Sequence, residues 1–127
     1  MSVNDKEIAA VSALSRDKRL TYFVKRVANF ERVWGIDDAG WVLAATKEET
    51  EVFQVWPFPE FATPCCTGEW AGCVPQSIDL DDFMESYLPD FREKGILLGV
   101  FYTPAENGVL LTADELRDLL EAELENY

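Results

Sequence analysis

The spacing of apolar residues changes several times along the chain, and each change predicts an element. Ile8, Val11 and Leu14 recur every three residues, which predicts a short helix over residues 5–14. Ser15 reads as the cap of a second helix, with Asp17 favourable in its first turn. Leu20, Phe23, Val24, Val27 and Phe30 keep the three- and four-residue spacing of one buried helical face. Arg16, Lys18, Arg19, Lys25 and Arg26 fall on the remaining surface, where pairing with acids of neighbouring elements is expected. The pattern then turns to β-rich runs at residues 32–36, 40–45 and 51–56. Asp37-Asp38-Ala39-Gly40 supplies turn chemistry between the first two, and the polar run from Thr46 to Thr50 separates the next two. These runs predict a three-stranded antiparallel meander.

Pro57 and Pro59 end the third run, and Pro59 suits the first turn of a short helix through Phe61 that is disturbed near Pro64. Residues 67–75 look irregular, and a short strand is expected over 74–78. Asp79 reads as a cap for a helix with the apolar stripe Leu80, Phe83, Met84, Tyr87 and Leu88. Pro89 predicts a break there, and Gly95 closes the following turn. Residues 96–101 lack any polar side chain, as expected of a central strand covered on both faces. Asn107-Gly108 signals a hairpin with a return strand at 109–111. Thr112 and Glu115 form a capping box for a last helix, with Leu116, Leu119, Leu120 and Leu124 inside and acids outside. The expectation is a single α+β domain over residues 1–127. Its one mostly antiparallel sheet of five to six strands combines the N-terminal meander with the C-terminal hairpin, packed by about four to five helices.

Composition adds that the 48% hydrophobic content, with 4 Trp, 8 Phe and 4 Tyr, suffices for a core without staples. No apolar run resembles a signal peptide or an anchor, so a cytoplasmic protein is expected. Three cysteines do not suggest a disulfide framework. The net charge of −13 is unevenly placed. Residues 1–50 balance, residues 51–78 carry three acids and no base, and residues 79–127 carry thirteen acids against three bases. Such a field repels nucleic acid and anionic membranes and attracts basic partners.

The chain has no histidine. That removes Ser-His-Asp and Cys-His pairs, imidazole metal sites and the one side chain that titrates unperturbed near neutrality. No phosphate loop, dinucleotide fingerprint or metal-ligand spacing replaces it, so no catalytic residue, cofactor or metal is expected. Cys65, Cys66 and Cys73, with Glu69 as the one conceivable fourth ligand, fit no zinc spacing and read as packing residues. Asp37-Asp38 and Asp79/Asp81/Asp82 read as turn and cap residues before they read as a hydrolytic pair. Trp34, Trp41, Trp56, Phe58 and Trp70 gather in or beside the meander. Adjacent strand residues face opposite ways, so Val55 and Trp56 cannot share one core face. Some of this aromatic surface must be covered by another element or by a partner.

Several stretches resemble one family. They are Leu14-Ser15 with the Tyr22-Phe23 helix, Val33-Trp-Gly-Ile-Asp-Asp-Ala-Gly-Trp41, and Val55-Trp-Pro57 with Glu60-Phe-Ala62. Residues 78–88, residues 95–104 and the closing Glu-Leu-Glu-Asn-Tyr127 match as well. Together they are similar to a family of small bacterial proteins, domain of unknown function family 2750. The resemblance implies a bacterial cytosolic protein and brings no activity or catalytic residue. The family pattern often has His after Val-Trp-Pro, where this chain has Phe58, so an imidazole role does not carry over. The later half is also similar in layout to bacterial immunity and secretion-associated proteins, which bears on fold rather than function.

The leading expectation is a non-enzymatic protein-interaction domain, of immunity or adaptor type, for a basic protein partner, acting as a monomer or weak homodimer. The alternative is a small-molecule or anion-binding module with Arg19 and Arg26 of the basic helix 15–30 facing Trp34 and Trp41 of the meander. An enzyme using thiol or carboxylate chemistry is the third.

Overall fold

Two helices begin the chain in the computed structural model, which describes residues 4–127 apart from the Glu69 side chain. Helix α1 (Asp5–Ser12) is capped by Asn4, whose side-chain oxygen accepts from the Glu7 amide at 2.8 Å. Helix α2 (Arg16–Phe30) starts at Ser15 as expected, with the hydroxyl accepting from Lys18. It stops at Glu31, which turns into the left-handed region (φ 58°) and delivers the chain directly into β1 (Arg32–Asp37). The inner face of α2 buries Phe23, Val24 and Val27, which follow the predicted spacing.

The protein is α+β, but its strands form two sheets rather than one, and the expected meander does not form. Strand β1 pairs along its whole length with β4 (Val74–Asp79), antiparallel, from Arg32 opposite Asp79 to Asp37 opposite Val74. The second sheet has the order β2-β3-β5-β6, from β2 (Leu43–Ala45), β3 (Glu51–Val55), β5 (Leu97–Val100) and β6 (Val109–Leu111). The reason lies in residues 35–42. Both β1 and β2 run antiparallel to β3, but along different stretches: Trp34 is bridged to Trp56, and Leu43 faces Phe53. Between these points the outer strand has more residues than β3, so the surplus is thrown out as a small loop. That loop is closed by the Val42 amide on the Ile36 carbonyl (3.1 Å) and by the Asp37 carboxylate accepting from the Gly40 amide (3.0 Å). The expected turn between paired strands is therefore a loop that interrupts one outer edge instead of reversing it. The edge of β1 that the meander would have occupied is left for β4. Among the described residues the backbones of the two sheets are joined at the Trp34–Trp56 bridge, with reciprocal bonds of 2.9 and 2.8 Å.

Strands β2 and β3 form the predicted hairpin, closed by the Thr46 hydroxyl and backbone. From β3 the chain crosses over through α3 (Pro59–Ala62) and two 3-10 turns (Thr63–Cys65, Gly68–Trp70) to β4 and a long helix, then returns to β5 parallel to β3. Strand β5 is central as expected, with Leu98, Val100 and the following Phe101 fully buried. The Asn107-Gly108 signal lies within a longer connection, and Gly108 sits where the backbone packs against its neighbour. A Cβ there would collide with the Val100 carbonyl.

Pro89 does not break its helix. α4 (Leu80–Asp82), a π-helical turn (Phe83–Tyr87) and α5 (Leu88–Lys94) run on without interruption over residues 80–94. Proline lacks an N–H and its ring clashes with the carbonyl four residues back. The wider turn shifts the bonding by one, so that the Leu88 amide donates to the Phe83 carbonyl. In this register Pro89 would face the Met84 carbonyl with no hydrogen to offer. Arg117 of α6 (Ala113–Leu124) supplies the missing donor, its Nη1 lying 3.0 Å from that carbonyl. Gly95, expected only to close a turn after the break, instead ends this continuous helix in the left-handed region (φ 71°). Thr112 and Glu115 form the predicted capping box for α6. Leu116 and Leu120 of α6 are buried, while Leu119, expected inside, is 39% exposed at the margin of the stripe.

One core joins residues of both sheets and the helices, with Trp56, Phe23, Phe53, Phe83, Phe101 and Leu116 among its fully buried side chains. Val55 and Trp56 are both buried, one on each face of the strand. The indole N–H of Trp56 donates to the Tyr102 carbonyl (2.8 Å), so the protein itself covers the second face.

Candidate functional site

The junction of the two sheets leaves a cleft of about 520 Å³. Phe30, the last residue of α2, and Arg32 and Trp34 of β1 form one side. Arg32 and Trp34 share a face because strand side chains alternate. The other side is Pro57, Phe58, Pro59 and Glu60. Two prolines fix the backbone on either side of Phe58, and Pro59 at the first position of α3 sets the angle of that short helix. The Phe30 and Phe58 rings meet edge to face with centroids 5.2 Å apart, giving the cleft an aromatic floor. At its rim, Glu60 has an unusual feature. Its Oε1 is the one buried side-chain oxygen or nitrogen among the described residues that has no hydrogen-bond partner.

A second hollow of about 420 Å³ adjoins the cleft across Phe30 and Arg32 and is lined also by Glu31, Asp79, Leu80, Asp81 and Asp82. Its position follows from the fold. The end of α2 and the start of the 80–94 helix are brought side by side by β1–β4 pairing, and the Leu80 amide donates to the Glu31 carbonyl (2.9 Å). Asp79 occupies the N-cap position as expected, but its side chain makes no capping bond. It lies instead 3.8 Å from Arg32 Nη1, which also donates to the Ser77 hydroxyl at 3.2 Å. Arg32 thus directs its Nη1 to Ser77 and Asp79, at the edge of the acidic hollow. Across both hollows five carboxylates surround this one guanidinium.

The structure distributes the residues singled out from the sequence unevenly. Trp34 and Phe58 line the cleft, and Trp56 lies buried at the bridge between the sheets. Trp41 packs edge to face on Phe53 (5.5 Å) and offers its indole N–H to the Tyr87 hydroxyl (3.3 Å). Trp70 is half-buried in a 3-10 turn against the core. Arg19 was expected on the surface of α2, yet its side chain is 1% exposed. It donates from Nε to the Phe101 carbonyl (3.2 Å), from Nη1 to the Leu14 carbonyl (2.6 Å) and to Glu106 (2.8 Å), and from Nη2 to the Asn107 carbonyl (2.9 Å). Phe101 itself has φ 62°, a strained conformation for an aromatic residue, and lies under the guanidinium at 5.9 Å. Arg19 therefore fastens the connection after β5, with four of its five N–H groups already engaged. Arg26 lies over the Tyr22 ring (5.1 Å) and 3.9 Å from Glu7. Neither arginine lines the cleft that holds Trp34.

Burial pushes the Cys65 thiol up to about 11. Burial also raises Cys66, with Cys73 adding to it, and raises Cys73, to which Asp38 and Asp37 add. All three thiols are free, and these upward shifts favour the protonated, weakly nucleophilic form. The Glu69 side chain lies outside the described residues, and no group of three or more Cys, Asp or Glu among the described residues is arranged to hold a metal ion. No helix among them is long and apolar enough to cross a membrane.

Phe30, Arg32 and Glu60 were not singled out from the sequence as site residues. The available signal was the Pro57-Phe58-Pro59-Glu60 run, in which two rigid residues present an aromatic beside an acid.

These features define a small α+β protein whose two sheets meet at an aromatic cleft rimmed with acids. The chain belongs to the family described as "Protein of unknown function (DUF2750)", which it matches over residues 20–120. That match includes every residue of both hollows and bears out the resemblance carried by the Trp-Gly, Gly-Trp and Val-Trp-Pro motifs. No protein of curated function matches the chain.

Proposed function

We propose that this protein is a non-enzymatic interaction domain that docks a basic segment of a partner protein along the cleft and the acidic hollow beside it. The continuity of the two hollows carries the reading. The half-buried rings of Phe30 and Trp34 run directly into Glu31, Asp79, Asp81 and Asp82, and Arg32 is the one base among the residues lining the two hollows. Aromatic anchors with a charged rim are the usual anatomy of a recognition surface. The net charge of −13 adds a long-range field that draws a basic partner and repels nucleic acid. The lack of histidine and the protonated thiols favour binding over covalent chemistry.

The test is affinity capture from the organism of origin at low and moderate salt, with the native chain beside an Asp81→Asn/Asp82→Asn variant. The expected result is a basic protein retained by the native chain, weakened by salt and by the variant. No retained protein in either buffer, or a partner that ignores both salt and the variant, overturns the proposal.

A further inference from the structure

We infer that the aromatic cleft is the anchor pocket for one arginine side chain of the docked segment, with the Glu60 carboxylate as its acceptor. This inference rests on the basic-segment reading and assigns the group that enters the cleft. The first observation is the unpartnered Glu60 Oε1. A buried carboxylate oxygen without a donor is costly, and native proteins leave few such atoms unsatisfied. The chain has a guanidinium in the same cleft, but Arg32 bonds Ser77 and lies nearest Asp79, and Glu60 Oε1 is left without a donor. The terminal torsion of a glutamate is soft, so the carboxylate can turn toward an incoming donor. The second observation is the wall chemistry. The half-buried rings of Trp34 and Phe30 supply aromatic surface in the cleft, and Phe58, buried beneath, backs it. A guanidinium is planar, weakly hydrated and stacks on aromatic rings while bonding a carboxylate with two N–H groups. An ammonium is a compact, strongly hydrated charge and gains less from such walls. The third is the local charge: Glu31, Asp79, Asp81 and Asp82 next to the cleft offset the repulsion from Arg32.

The experiment titrates the full chain, by calorimetry, with three blocked peptides that share two flanking lysines and differ only at the centre: arginine, lysine or citrulline. The Trp34 indole resonance is followed in parallel. The arginine peptide is expected to bind about fivefold more tightly than the lysine peptide and roughly tenfold more tightly than the citrulline peptide. It alone shifts the Trp34 indole strongly. Glu60→Gln, which keeps the shape and removes the charge, erases the preference for arginine and leaves the melting temperature unchanged or higher. Trp34→Leu, a second variant that removes a wall and leaves the carboxylate in place, loses the same preference. Equal binding of the arginine and lysine peptides, or an arginine preference that survives Glu60→Gln, overturns the anchor while the basic-segment reading stands. Binding by none of the three peptides overturns both.

Discussion

Replacing Arg19 with methionine tests the most consequential packing in this protein. Methionine keeps most of the side-chain volume and removes all four hydrogen bonds. The four acceptors do not lose equally. Glu106 is 54% exposed and regains water, so that ion pair contributes little. The Leu14 and Asn107 bonds are part-buried, and those carbonyls are partly rehydrated. The Phe101 carbonyl is buried and stays dry, and Phe101 loses one of the restraints on its strained backbone. Hydrogen bonds to a charged donor contribute about 1.5–3 kcal/mol each, so after rehydration the sum is roughly 3–5 kcal/mol. That is a large part of the ~5–15 kcal/mol that holds a typical domain. For a chain of this length it lowers the melting temperature by roughly 10–20 °C. Urea and thermal unfolding, followed by circular dichroism, measure it. Arg19→Lys should fall between, because one ammonium cannot span acceptors arranged for a planar fork. Glu106→Gln should cost no more than about 1 kcal/mol. If Arg19→Met unfolds within about 1 kcal/mol of the parent, or Glu106→Gln matches it, the account of a buried fastener is wrong.

Two further expectations follow from the structure. Arg117→Met removes the donor to the Met84 carbonyl and should cost about 1–2 kcal/mol, but clearly less in a Pro89→Ala background, where a backbone N–H is available to that carbonyl; strict additivity in urea unfolding would refute the coupling. Burial, then the 2.6 Å bond to Glu7, pushes the Tyr22 hydroxyl up to about 12, so above the ordinary tyrosine value of 10.0 the unfolded chain loses this proton first. Stability should therefore decline as the pH rises from about 10 toward 12, and Tyr22→Phe should remove that part of the decline; identical pH profiles for the two proteins would contradict it.

Local features were legible because their causes are local. The Ser15 cap, the Thr112/Glu115 box and the inner face of α2 depend on residues within a turn or two of each other, and each forms as its spacing implies. The errors have a common character. Pro89 reads as a breaker because a π turn and a donor from a distant helix are invisible to a local rule. Asp37–Gly40 reads as a reversal because nothing nearby says that β1 and β2 lie along the same edge of β3. Arg19 reads as a surface base because its acceptors lie more than eighty residues ahead, with Leu14 the exception. At the cleft, Trp34 and Phe58 stand out in the sequence as costly aromatics, whereas Phe30 and Arg32 acquire their place only when β1 turns away to pair with β4.

By itself the amino-acid order determined the α+β class, the positions of the main helices and strands, the family, the acidic field and the absence of imidazole chemistry. Those properties are sums or short-range patterns, and short-range patterns survive without knowledge of who neighbours whom. Only the tertiary structure decided that there are two sheets, that Arg19 is buried and that Glu60 borders a cleft with an unmatched oxygen. Each of these depends on pairings between distant segments. Such pairings are selected by the collective fit of strand edges, buried rings and carbonyls, which no single stretch of the chain encodes.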